Sequence, residues 1–155
     1  MPGDDATSYL VRHAKAAARE RWTAPDRDRP LTDAGRLQAA GLAKMLAPRT
    51  RSIMSSPYLR CVQTVAPLAA AVRLRVEEEE RLAEGADPSW AIAELAATPG
   101  AVLCTHGDVM ASIVISLTDA KVPMAGGKQW GKAGTWEFTI ADGRILRGRY
   151  LPPPV

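Results

Sequence analysis

Two kinds of apolar pattern take turns along this chain. Short, densely apolar runs alternate with longer stretches whose apolar residues recur every three or four positions. The first run, Ser8–Val11, predicts a strand that stops at Arg12-His13. Two prolines and four arginines in 18–30 (ARERWTAPDRDRP) predict a loop. Helical spacing follows at Gly35, Ala39, Leu42 and Leu46, between a start signal at Thr32 and a stop at Pro48. RSIMSS predicts a second strand, and PYLRCVQTVAPLAAAV a second helix with Cys61, Val65 and Leu68 as its buried stripe. RLRVEEEE predicts a third strand ending in acid. Asp87-Pro88 opens a helix through about Ala97, closed by Pro99-Gly100.

AVLCT is an unbroken apolar run, the mark of a central strand buried on both faces. GDVMASIVISLT returns to helix, and AGTWEFTI and RILRGRYL flank Ala141-Asp142-Gly143, where Asp-Gly suits a tight hairpin turn. Strand and helix in repeated alternation predict a three-layer α/β/α sandwich on a mostly parallel sheet. With no repeat and no linker, 1–155 reads as one domain.

Composition narrows the class. An apolar fraction of 46% and a charged fraction of 24% are ordinary for a globular protein. The net charge of +3 suits an anionic substrate, and arginines spread along the chain do not suit a nucleic-acid polymer. Cys61 and Cys104 sit in apolar surroundings and read as reduced core thiols; without a CxxC they compose no zinc site. MPGDDAT is polar and acidic, with no membrane-length apolar run behind it, so a cytoplasmic protein with no membrane partner is expected.

Candidate chemistry gathers at strand ends. In a parallel sheet, ligands bind beyond the carboxyl ends of the strands. Arg12-His13 follows the first strand, Ser55-Ser56 and then Arg60 the second, Glu84 the third, and His106-Gly107 the fourth. A histidine beside a fixed cation is disfavoured as imidazolium and available as a neutral nucleophile. Ser56 is a good helix cap with Pro57 at the first helical position, so Arg60 leans back over a helix start that already favours an anion. Gly107 permits close backbone approach at another such start. Arginine forks at helix starts make a pocket for a tetrahedral dianion, and phosphate is its natural guest.

Five stretches together carry a family resemblance: LVRHAKA, RPLTDAGRLQA, SSPYLRCVQTVAPLA, LAEG and LCTHGDV. In this order they resemble the histidine phosphatase superfamily, which includes the phosphoglycerate mutases. The chain is most similar to its small SixA-like phosphohistidine phosphatases. VRHAKAAARERWTAPDRDRPL is also similar to the phosphatase-like domain of some actinobacterial MutT-type proteins. Ala14 stands where many members carry glycine.

The resemblance implies a phosphoglycerate mutase-like fold and a metal-independent reaction without cofactors. His13 would be the phosphoryl-accepting nucleophile. Arg12, Arg60 and His106 would hold the phosphoryl oxygens, and Glu84 would act as general acid and base. Glu77, Glu78, Glu79 and Glu80 offer competing carboxylates, and the Leu-x-Glu pattern of LAEG favours Glu84. Lys15 is placed to bind a second anionic group or simply to stand in solvent, and Trp22 to stack on a base or to patch the core edge. The partner is a phosphorylated small molecule or a phosphohistidine protein; the pattern does not choose, and it says nothing of oligomeric state. Two rival readings are a catalytically silent phosphate-binding module, against which stands the full residue set, and a mutase, for which the chain is short.

Overall fold

Seven strands form one sheet in the order β3-β2-β4-β1-β6-β7-β5. The computed structural model describes residues 6–154; Met1–Asp5 of the acidic leader and Val155 of the proline tail lie outside the described residues. The strands are β1 (Ala6–Arg12), β2 (Ser52–Ser55), β3 (Val76–Glu78), β4 (Ala101–Thr105), β5 (Met124–Ala125), β6 (Thr135–Ala141) and β7 (Arg144–Leu151). The helices are α1 (Asp33–Leu46), α2 (Leu59–Val72), α3 (Ser89–Ala97) and α4 (Gly107–Asp119). The pairs β1–β4, β4–β2, β2–β3 and β5–β7 are parallel, and β6 runs against both β1 and β7. The expected mostly parallel α/β architecture is what the chain adopts.

The period-two alternation along each strand separates two cores. Tyr9, Val11, Ile53, Val102 and Cys104 face α1 and α2, meeting Leu42, Leu46, Val65 and Leu68. Leu10, Leu103, Trp136 and Phe138 face the other way, onto Leu95 of α3 and Met110, Ile113 and Val114 of α4. All of β4 is buried, as its unbroken apolar run requires. After β1 the chain leaves through α1 on one face; after the neighbouring β4 it leaves through α4 on the other. A crevice therefore opens at the carboxyl ends of β1 and β4, where His13 and His106 begin the next segments.

Thr32 caps α1 by accepting from Gly35 N–H at 3.1 Å, and the hairpin turns through Asp142 at φ 52° and Gly143 at φ 71°. Three expectations need correction, and one strand is new. First, β1 is longer than Ser8–Val11, because Ala6 and Thr7 are drawn into register with Ile140 and Thr139 of β6. Second, β3 is shorter than RLRVEEEE: Arg73 turns left-handed at φ 60° to end α2, and Glu80–Leu82 curl into a 3-10 turn capped by Glu79. Third, α2 starts at Leu59 rather than at Pro57, with Tyr58 as its cap residue. The Ser56 hydroxyl lies 2.8 Å from His106 Nε2, and Tyr58 N–H donates to it at 3.3 Å. Last, the two-residue β5 had no pattern to announce it.

Gly35 is where α1 meets the segment that follows His13. A Cβ there would press into the Lys15 carbonyl oxygen, which already accepts from Thr32 N–H at 3.0 Å. Backbone cannot yield as a flexible side chain does. Gly35→Ala is therefore expected to destabilise the protein by about 1–3 kcal/mol, despite the better helix propensity of alanine, as measured by urea unfolding.

Candidate active site

His13 stands just past β1, tied to β4 by its own N–H donating to the Thr105 carbonyl at 3.0 Å. On its other side, Ala133 N–H lies 3.1 Å from both the Arg12 and the His13 carbonyl. The imidazole is 6% exposed, and its Nδ1 is 2.8 Å from the Ala14 carbonyl, an acceptor only. Nδ1 must therefore carry the proton, which leaves the lone pair on Nε2. Burial chiefly lowers its pKa, and the charges of Arg60 and Arg12 and the nearby His106 add to this against the Ala14 hydrogen bond, giving about 3. The ring is held neutral, in the tautomer a nucleophile needs.

His106 faces it, ring centroids 5.6 Å apart and near edge-on. Its Nε2 meets the Ser56 hydroxyl, and its Nδ1 lies 3.4 Å from Arg60 Nη2. The guanidinium can only donate, so Nδ1 accepts and Nε2–H donates to Ser56. Tyr58 packs edge-on against His106 at 4.8 Å, and Arg60 also lies over the Tyr58 ring at 5.0 Å. The same Arg60 thus stacks on an aromatic ring and faces the site.

Two guanidiniums flank the histidines. Arg60 is fully buried, with Nη1 donating to the Asp26 carbonyl at 3.0 Å and Nη2 paired to Asp26 Oδ2 at 3.1 Å. Arg12 donates from Nη1 to the Trp130 carbonyl at 2.8 Å and lies flat against the start of α4, where a Cβ on Gly107 would collide with it at 2.6 Å. Glycine at 107 is what lets Arg12 lie there. The Nε–H groups of both arginines are buried without a hydrogen-bond partner. Orphaned buried donors are costly and rare, and both belong to the residues expected to grip phosphoryl oxygens.

Of the five candidate glutamates, Glu84 is the one that approaches Arg60. Its Oε1 lies 3.6 Å from Arg60 Nη2 and its Oε2 3.2 Å from Arg19. Glu79 turns to Arg81, Glu80 pairs with Arg27, and Glu77 and Glu78 stand exposed on the edge strand. Lys15 is exposed, and its backbone rather than its side chain makes the local bonds. Among the described residues no group of three or more His, Cys, Asp or Glu could hold a metal ion.

The chain matches the family model of the histidine phosphatase superfamily (branch 1) over residues 8–91. The chain belongs to this superfamily. It is 35% identical, over 99% of its length, to an 8-oxo-(d)GTP phosphatase of Mycolicibacterium smegmatis, and spans about half (50%) of that relative. A phosphohistidine phosphatase SixA structure from Agrobacterium tumefaciens is 26% identical, with a TM-score of 0.71 over 96% of this chain and 99% of that one. A SixA structure complexed with tungstate, 20% identical, shares the fold at a TM-score of 0.73 over 94% of each chain.

Several residues of this histidine phosphatase domain lie at the site without having been singled out by pattern. Thr64 of α2 accepts from Ala14 N–H at 2.9 Å and donates to the Arg60 carbonyl at 2.6 Å, tying the nucleophile's segment to the arginine. Asp108 accepts from Gly85 N–H at 2.7 Å and so anchors the turn carrying Glu84. Trp130 and Lys132 come from 126–134, a stretch with no periodicity. Burial lowers the Lys132 pKa, and the charges of Arg12, Arg29, Lys15 and Arg19 lower it further. Trp22 donates from Nε1 to the Pro25 carbonyl at 2.9 Å and so braces its own loop. A hydroxyl on the buried face of α2 and an aspartate in the first turn of α4 are the available signals for Thr64 and Asp108; both are too common to single out.

The low pKa of His13 has a stability consequence. An unfolded histidine takes up a proton near pH 6.5, whereas the folded one resists until about pH 3. Between these values the unfolded state binds more protons, so His13 costs stability as pH falls below 6.5 and nothing above it. His13→Gln removes this penalty. Urea unfolding at pH 7.5 and 4.5 is expected to show the variant gaining on wild type by on the order of 2–3 kcal/mol at the lower pH. Parallel pH curves would contradict the assignment.

Proposed function

We propose that this chain is a phosphatase working through a phosphohistidine on His13, with a phosphomonoester or phosphohistidine as substrate. One observation carries the reading: a neutral histidine with its Nε2 lone pair free, flanked by two arginines whose buried Nε–H groups lack partners. Such donors await an anion, and a tetrahedral phosphoryl group between them would face its phosphorus to the imidazole.

In the first step the Nε2 lone pair forms an N–P bond while the bond from phosphorus to the leaving atom breaks. Glu84 gives that atom a proton. Arg12 and Arg60 spread over the phosphoryl oxygens, joined by the N–H of Gly107 at the α4 start. His106 lines the same cage and steadies Arg60, whose Nη2 donates to its Nδ1 at 3.4 Å. In the second step Glu84 takes a proton from water, the water oxygen bonds to phosphorus, and the N–P electron pair returns to Nε2. The reading calls for no metal and no cofactor, because the cationic side chains supply the charge. The complete residue set speaks against a silent binding module.

A second reading of the substrate, a nucleotide or other phosphorylated metabolite, is favoured by a cationic rim of Lys15, Arg19 and Lys132 near Arg12. The relative named for 8-oxo-(d)GTP supports it as well. A ligand with more than one phosphate would engage that rim, Lys15 included.

Leaving-group dependence tests both. An imidazole leaves readily from a phosphohistidine, while an alkoxide needs a proton. Glu84→Gln is expected to leave kcat/KM for phosphohistidine, which reports the first step alone, within roughly threefold of wild type and to cut kcat/KM for an alkyl phosphate by about 100-fold or more, while the shared second step slows for both. Equal losses on both would contradict the role of Glu84. The ratio of kcat/KM for a phosphohistidine peptide to that for a nucleoside triphosphate, in the wild type, decides between the substrate classes.

A further inference from the structure

We propose that Asp26 is a positioning residue that sets the plane of the Arg60 guanidinium, so that loop 18–30 forms part of the phosphoryl-binding machinery. This rests on the reading of Arg60 as a phosphoryl ligand.

Asp26 meets Arg60 twice. Its backbone carbonyl accepts from Nη1 at 3.0 Å, and its Oδ2 pairs with Nη2 at 3.1 Å. Two contacts from one residue to two nitrogens of a planar fork define the plane and rotation of that fork. The Nη edge is thereby committed to the loop. What remains unpaired is Nε–H, buried and without a partner, in the same plane. A guanidinium held at one edge presents the other edge in a fixed direction, which an arginine in open solvent would not do.

The carboxylate is itself held. Its Oδ1 accepts from Arg29 Nε at 2.9 Å, and Arg29 is 6% exposed, with its Nη1 donating to the Ala17 carbonyl at 2.6 Å. Ala17 N–H donates in turn to the Pro30 carbonyl, and Ala16 bridges to Leu31, so the loop is closed at its base. The Trp22 indole braces the turn just before Asp26. Asp26 thus bridges a buried anchor arginine to a buried site arginine, one carboxylate oxygen to each. Burial works to raise its pKa, but the hydrogen bond from Arg29 and the charge of Arg60 outweigh this, so Asp26 stays ionised.

Transition-state geometry is more sensitive to such a clamp than substrate capture is, because misplacement by about 1 Å can cost about 100-fold. The test compares kcat and KM for p-nitrophenyl phosphate, and tungstate affinity by calorimetry, in wild type, Asp26→Asn, Asp26→Glu and Asp26→Ala, with folding checked by thermal unfolding. Asparagine keeps the shape and loses the charge; glutamate keeps the charge and displaces it. All three are expected to lose kcat by about tenfold or more and tungstate affinity by a similar factor, alanine the most, with KM moving less than about threefold. Wild-type kcat in Asp26→Glu would show that charge alone matters and would overturn the proposal. So would a lower KM with unchanged kcat in Asp26→Asn, since Asp26 would then only mask the cation. If the wild type itself has no turnover, the functional reading fails, and unchanged tungstate binding in Asp26→Ala still separately overturns this one.

Discussion

Keeping one imidazole uncharged among cations is the constraint on which the rest of the structure depends. His13 is buried, its Nδ1–H is committed to the Ala14 carbonyl, and Arg12 and Arg60 stand close by. Desolvation and neighbouring positive charge act in the same direction on it. The backbone that holds it is tied on two sides, to Thr105 at the end of β4 and to Ala133 before β6. The direction of the His13 ring is therefore a property of the sheet, and little is left to side-chain freedom.

Buried Arg60 and half-buried Arg12 set the opposite problem, since a charge taken out of water must be matched. Arg60 is matched on one edge by Asp26, His106 and, more distantly, Glu84, and Arg12 on one edge by the Trp130 carbonyl. On both, Nε–H is left unmatched. Selection for stability alone would close those gaps. On the proposed reading, a site that binds and releases an anion at each turnover keeps them open, and the tight packing around Gly107 and Tyr58 holds them in place.

Much of this was legible in the residue pattern, for a physical reason in each case. The period-two and period-3.6 runs report burial, and AVLCT, the Asp-Gly turn and the Thr32 cap read directly into structure because local and tertiary preferences agree there. The strand-end rule placed Arg12, His13, Arg60 and His106 together without knowledge of the sheet order. The start of α2 was misread because the Ser56 hydroxyl, a good cap by local rules, lies against His106 fifty residues away. Strand β3 was over-extended because an acidic run carries no signal for where an edge strand stops. Glu84 is favoured over Glu77–Glu80 only by the Leu-x-Glu match of the family resemblance; composition and periodicity do not separate them, since the choice depends on which carboxylate the chain turns inward. Asp26, Trp130 and Lys132 lie in aperiodic loops, where sequence reports solvent and says nothing of the tertiary partner.

The most direct measurement is chemical trapping. The protein is mixed with p-nitrophenyl phosphate or a phosphohistidine peptide, quenched in alkali, where phosphohistidine survives, and mapped by mass spectrometry. The account predicts a single added phosphoryl group on His13, lost on acid treatment and absent from His13→Ala. Turnover with no such adduct, or with the label on His106 or another residue, would contradict it.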